Sequence, residues 1–223
     1  PQTTLPAPRV IVVDMPGAGQ AGVVVAPPGI ARGDQSYFPA AVANATLGVG
    51  FSSRLNQEIR IKRGLAYGAR SELDARRNGG AVSASTQTKN PSAPEVVKII
   101  TDELRRMGAE PAPEAELATR KAVLTGNFGR TIERTSGIAG TIVTYVADGV
   151  PLARIATFLP SIEAVGPAAV QQAAARVMDP KAASIVVVGD AKQFLEPLRA
   201  AYPGLVVVPA ASIDLGRADL GAK

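Results

Sequence analysis

Apolar and polar residues change rhythm along this chain, and the changes mark its elements. Arg9-Val10-Ile11-Val12-Val13-Asp14 and Ala21-Gly22-Val23-Val24-Val25 are β-branched runs on either side of Pro-Gly-Ala-Gly at 16–19, which predicts an antiparallel hairpin. Residues 35–47 follow a helical period, with Phe38, Val42, Ala45 and Thr46 on one side, until Gly48-Val49-Gly50 interrupts it. A second helix is expected to start at an N-cap on Ser52 or Ser53, carry Leu55 and Ile59 one turn apart, and end at Gly64.

Leu65 to Asp74 and Ala81 to Thr88 flank Arg76-Arg77-Asn78-Gly79-Gly80, turn chemistry that predicts a second hairpin. Pro94 to Met107 places Val96, Val97, Ile100 and Leu104 at helical spacing, with Gly108 as a stop, and Pro113 to about Arg130 reads as another helix. Residues 135–147 and 166–177 are helix-like. Ala183 to Val188 predicts a buried strand, followed by a short helix near 191–200 and a last strand at 205–208. Strands and helices therefore come in blocks rather than in strict alternation. That order predicts an α+β fold, a largely antiparallel sheet with helices packed on one face. One domain is expected over 9–208, with a Pro-rich linker at 1–8 and an aperiodic tail at 209–223.

Composition narrows the chemistry. The 223 residues include no cysteine, so disulfides, thiolate metal sites and cysteine nucleophiles are excluded, and no histidine, which removes every Ser-His-Asp arrangement and the commonest metal ligand. Chemistry must come from carboxylates, Lys, Arg, Tyr or a partner. The chain opens Pro1-Gln2-Thr3-Thr4 without an initiator Met or a signal-like segment, and is read as a mature piece or an expressed fragment. Apolar runs fall far below the ~18 residues a membrane helix needs, so no membrane span is expected.

Charge is concentrated. Net charge is +5, and Arg54 to Arg77 holds seven cations (Arg54, Arg60, Lys62, Arg63, Arg70, Arg76, Arg77) against Glu58, Glu72 and Asp74, which leaves +4 in that stretch. A nucleic-acid contact is disfavoured, since the stretch has one tyrosine, no stacking platform and no module signature. Glu72 and Asp74 share a strand face with Arg70 and Arg76, which favours solvated charge pairing over acid–base work. Ile185-Val186-Val187-Val188-Gly189-Asp190 resembles the opening of a nucleotide-binding unit, but Ala191-Lys192-Gln193 supplies no further glycine, and a plain strand end is favoured.

The segment Gly48-Val49-Gly50-Phe51-Ser52-Ser53-Arg54-Leu55, continued by Glu58-Ile59-Arg60-Ile61-Lys62-Arg63-Gly64-Leu65-Ala66-Tyr67, resembles the signature of the C-terminal, non-zinc half of the pitrilysin-type (M16) metallopeptidases. The likeness runs over most of 9–208, with Ile59 and Ile61 as departures that leave the reactive side chains in place. It implies a LuxS/MPP-like metallohydrolase half whose Zn²⁺ sits elsewhere, on a partner domain or subunit carrying His-x-x-Glu-His; no cofactor is expected in this chain, and no activity from it alone.

The resemblance also implies that Arg60 and Tyr67, seven positions apart, reach across a cleft to the substrate of that partner. A phenol can donate to the oxygen that gains charge during attack on a peptide carbonyl, and a guanidinium can hold a neighbouring carbonyl. Gly64 is the bend between them, while Arg54, Lys62 and Arg63 are read as helix-surface charges. Two such halves would enclose an extended peptide as a clamshell, with basic residues favouring acidic sequences. The alternative is a non-catalytic scaffold or peptide-binding module of the same fold. A periplasmic or secreted location is the accompanying expectation.

Overall fold

Six strands share one sheet in the order β3-β4-β2-β5-β1-β6. They are β1 (Val10–Asp14), β2 (Ala21–Ala26), β3 (Ala69–Arg76), β4 (Gly79–Thr88), β5 (Ser184–Gly189) and β6 (Val206–Pro209). The helices are α1 (Tyr37–Gly48), α2 (Ala93–Ala109), α3 (Glu114–Ile132), α4 (Thr135–Ala147), α5 (Ala153–Ala156), α6 (Phe158–Glu163), α7 (Pro167–Val177) and α8 (Leu195–Ala201). The computed structural model describes residues 7–217, so the expected linker over 1–8 and tail over 209–223 lie in part outside the described residues. Among the described residues no helix is long and apolar enough to cross a membrane.

The sheet is mixed and mostly antiparallel. β2 pairs antiparallel with β4 and β5, and β3 with β4, whereas β1 pairs parallel with β5 and β6. This corrects the expected β1–β2 hairpin: β5 lies between the two strands, with Val23 opposite Val187 and Val12 beside Val187 on the other side. The apolar run Ile185-Val186-Val187-Val188 of β5 belongs in the middle of a sheet, where both its edges find partners. The second hairpin forms as expected, with Arg76 opposite Gly79.

Alternation sends Val12, Val23, Val25, Val82, Ala84, Ile185 and Val187 into the main core. α1 and α2 cover that face, and α7 packs against both helices. α2 buries Val96, Val97, Ile100, Leu104 and Met107 along one stripe, the spacing its sequence predicts. It crosses α7 closely at Gly108, where a Cβ would stand 2.8 Å from the Cα of Ala175.

The opposite face divides in two. At the β5-β1-β6 end, Ile11, Val13 and Val208 form a small core with Val186 and Val188, and Ala210 and Ile213 fold back over it. At the β2-β4-β3 end the face is open, and Val24, Arg70, Glu72, Asp74 and Gln87 meet solvent.

The strand ending at Gly189 is held by Asn90. The Asn90 Oδ1 accepts from the Asp190 N–H at 3.0 Å and stands 2.5 Å from where a Gly189 Cβ would be, so the glycine serves close packing at a strand end.

Candidate functional site

Between α1 and β3 the chain makes a compact detour that brings its polar residues to the open face. α1 ends because Gly48 has to pass β3: a Cβ there would lie 2.2 Å from the Ser71 backbone nitrogen, and the Ser71 hydroxyl donates to the Asn44 carbonyl at 3.0 Å. Gly50 then turns the chain with φ +85°, a left-handed value that favours glycine. The expected regular helix is instead a π-helical turn over Asn56–Ile61, and Ser53, expected as an N-cap, is buried and makes no cap bond there. Leu55 and Ile59 still anchor it in the core.

The wide turn is set by Asn56, an asparagine buried in a helix, where its side chain competes with backbone bonding. Its Nδ2 donates to the carbonyls of Gly50 (3.0 Å) and Ala69 (2.8 Å) and approaches the Ser53 hydroxyl, while its Oδ1 accepts from the Ala69 N–H at 3.0 Å. One side chain thus pairs with both backbone groups of the first residue of edge strand β3, as a neighbouring strand would. Gly64, at φ +62°, reverses the chain after the turn.

From there Leu65 to Gly68 form a loop rather than the expected start of a strand. Thr88 and Thr86 hold it, their hydroxyls donating to the Leu65 and Gly68 carbonyls at 2.7 and 2.6 Å. Two arginines fasten the other side to α3: buried Arg120 donates to the Ser52 hydroxyl at 3.1 Å, and Arg54 makes a two-point pair with Glu116 at 3.0 and 2.8 Å.

This frame brings Arg60 and Tyr67 together. The Arg60 guanidinium lies 4.7 Å from the Tyr67 ring centroid and 4.7 Å from that of Phe51. Tyr67 is 89% exposed, and among the described residues its hydroxyl has no hydrogen-bond partner. It stands at an open groove of about 780 Å³ floored by β2 and β4 and walled by the Gly64–Gly68 loop, with Gln20, Ser85, Gln87, Arg70 and Lys89 among its lining.

The other cations of the segment, Arg70 apart, are engaged elsewhere. Lys62 and Arg63 both pair with Glu58, whose carboxyl is held below the usual carboxylate range by these hydrogen bonds. Arg76 pairs with Asp74 on the open face, and Arg77 donates to the Val146 and Ala147 carbonyls at the end of α4.

Phe51, Asn56, Arg120 and Lys89 went unmarked in the sequence reading. An aromatic residue stranded between a glycine and two serines, and an asparagine on an otherwise apolar helix face, are the signals that single out the first two. Arg120 and Lys89 carry no such local sign.

The arrangement offers an exposed phenol and a fixed guanidinium, donors suited to carbonyl or carboxylate oxygens. It does not suit zinc: the chain has no histidine or cysteine, and among the described residues no group of three or more carboxylates converges.

Residues 1–124 match the family model of the peptidase M16 inactive domain. An uncharacterized zinc protease of Streptomyces coelicolor is 32% identical over 123 residues, 55% of this chain and 27% of that protein, so the match spans about a quarter of its relative's length. Among solved structures, a peptidase M16 inactive domain from Pseudomonas fluorescens superposes with a TM-score of 0.78 at 24% identity, over 85% of this chain and 45% of the other. The inactive peptidase domain from Bordetella parapertussis gives 0.66 at 16% identity, over 77% of this chain and 93% of its own.

Proposed function

The chain belongs to the family of peptidase M16 inactive domains, and from that premise we propose that it is the zinc-free half of a peptidase whose metal is held by a partner domain or subunit. Zinc in that partner would activate the attacking water. This chain contributes hydrogen-bond donors and a substrate surface.

One observation supports the reading: the Arg60 guanidinium lies against the ring of Tyr67, which lines the groove and has its hydroxyl free to donate. Tyr67 would donate to the oxygen of the scissile carbonyl as it becomes negative, and Arg60 would hold the neighbouring carbonyl of the peptide. The stack leaves the guanidinium little freedom, so its orientation is set before substrate arrives. The chain then closes over an extended peptide that the partner half also contacts, as two sides of one chamber.

The reading is tested by pairing the chain with its His-x-x-Glu-His unit and comparing peptide cleavage by the parent, Tyr67→Phe and Arg60→Ala proteins. Cleavage that is slowed in both variants supports it. Unchanged cleavage rejects the assignment of the two residues.

A further inference from the structure

Positive charge in residues 54–77 is almost all taken up inside the molecule: Arg54 by Glu116, Lys62 and Arg63 by Glu58, Arg76 by Asp74, Arg77 by helix carbonyls and Arg60 by two rings. Arg70 is the exception. It is exposed on β3 and, among the described residues, forms no ion pair; Lys89, exposed just beyond β4, forms none either. Both line the groove that Tyr67 borders, and among the described residues no aspartate or glutamate does. Gln20, Ser85, Thr86 and Gln87 complete its polar lining, and these are neutral.

A concave surface with two uncompensated charges of one sign focuses its field into the groove. Glu72 follows Arg70 on the same strand face but does not line the groove and makes no pair with it. Arg70 offers a planar fork that fits a carboxylate through two bonds, and Lys89 adds a point charge.

We infer that the groove selects peptides carrying an acidic side chain, with Arg70 and Lys89 as the residues that recognise the carboxylate. The inference rests on the peptide-handling reading above and narrows it to a substrate class. A nucleic acid is the less suitable polyanion, because among the described residues Tyr67 is the one aromatic side chain lining the groove and successive bases would find no further ring to stack on.

The test is fluorescence anisotropy at low salt on the chain itself, with three labelled probes: an extended peptide bearing glutamates, the same peptide with glutamines, and a single-stranded oligonucleotide. Two exposed ion pairs, each giving about two- to fivefold, predict that the glutamate peptide binds about tenfold more tightly than the glutamine peptide. The difference is expected to vanish in the Arg70→Gln, Lys89→Gln double variant and at about 1 M salt, and to persist in Lys181→Gln, which removes an exposed charge away from the groove. Equal binding of the two peptides, no binding of either, a preference that survives the double variant, or tighter binding of the oligonucleotide through the same residues each overturns the inference.

The two readings fail separately. A chain that supports cleavage with its partner but ignores peptide charge sinks the acidic preference and spares the peptidase reading. Acid-selective binding in a chain that supports no cleavage does the reverse.

Discussion

The Arg60 guanidinium carbon lies over the Tyr67 ring, 4.7 Å from its centroid, and over the Phe51 ring at the same distance. The two residues that the family resemblance singled out are therefore in contact, and Phe51 joins them. Phe51 sits 60% exposed in a glycine–serine loop, where an aromatic ring gains little from burial, and holding Arg60 accounts for its place there.

Phe51 should then be a positioning residue. Phe51→Leu keeps an apolar side chain but removes the ring face, and an exposed cation–π contact of about 0.5–1 kcal/mol predicts a two- to fivefold loss in kcat/KM. Phe51→Tyr should restore it. A merely structural role would instead appear as lost thermal stability with no difference between Tyr and Leu.

Asn56→Ala should cost about 3 kcal/mol in chemical denaturation, since it strands the Gly50 carbonyl and both backbone groups of Ala69. The same variant frees the edge of β3 at its first residue, so it is also expected to aggregate more readily, which light scattering reads directly.

The two glycines that frame the site should respond differently to alanine. Gly48→Ala places a Cβ 2.2 Å from a backbone nitrogen that cannot rotate away, and should cost about 3 kcal/mol or more. Gly64→Ala meets no atom within 4 Å and pays only for its left-handed φ of +62°, about 1–2 kcal/mol. Denaturation midpoints of the two variants check the order.

Glu103 gives a pH-dependent prediction. Burial pushes its carboxyl above the usual carboxylate range, against the opposing pull of Arg106 and Arg54, and its Oε2 is buried with no hydrogen-bond partner among the described residues. A raised value in the folded state means that its contribution to stability is complete below the ordinary carboxylate pKa and is lost as pH rises through the raised one. Glu103→Gln, neutral throughout, should gain stability over the parent as pH rises above the ordinary carboxylate range, with the difference smallest in acid, which denaturation midpoints across pH read directly.

Much of the fold was legible because it rests on local periodicity. The apolar stripe of α2 and the Asn78-Gly79 turn between β3 and β4 each announce themselves within a few residues. The β1–β2 pairing was not legible: Pro16 to Gly19 looks the same whether the strands it joins lie side by side or admit β5 between them, and the choice depends on a strand more than 150 residues away. Likewise Tyr67 was expected within a strand, since nothing near it reveals that Asn56, Thr86 and Thr88 capture the neighbouring backbone and delay β3 to Ala69. The basic segment misleads by its sum. Only the folded chain shows which cations Glu58, Asp74 and Glu116 neutralise, and that Arg70 is left facing the groove.

The most direct measurement is kcat for Tyr67→Phe in the assembled protein, with zinc content and KM measured alongside. Phenylalanine keeps the ring against Arg60 and removes only the hydroxyl, so that contact persists. Loss of one donor to a developing oxyanion predicts that kcat falls about 10²–10³-fold while KM and zinc content hold. A kcat equal to that of the parent would contradict the account.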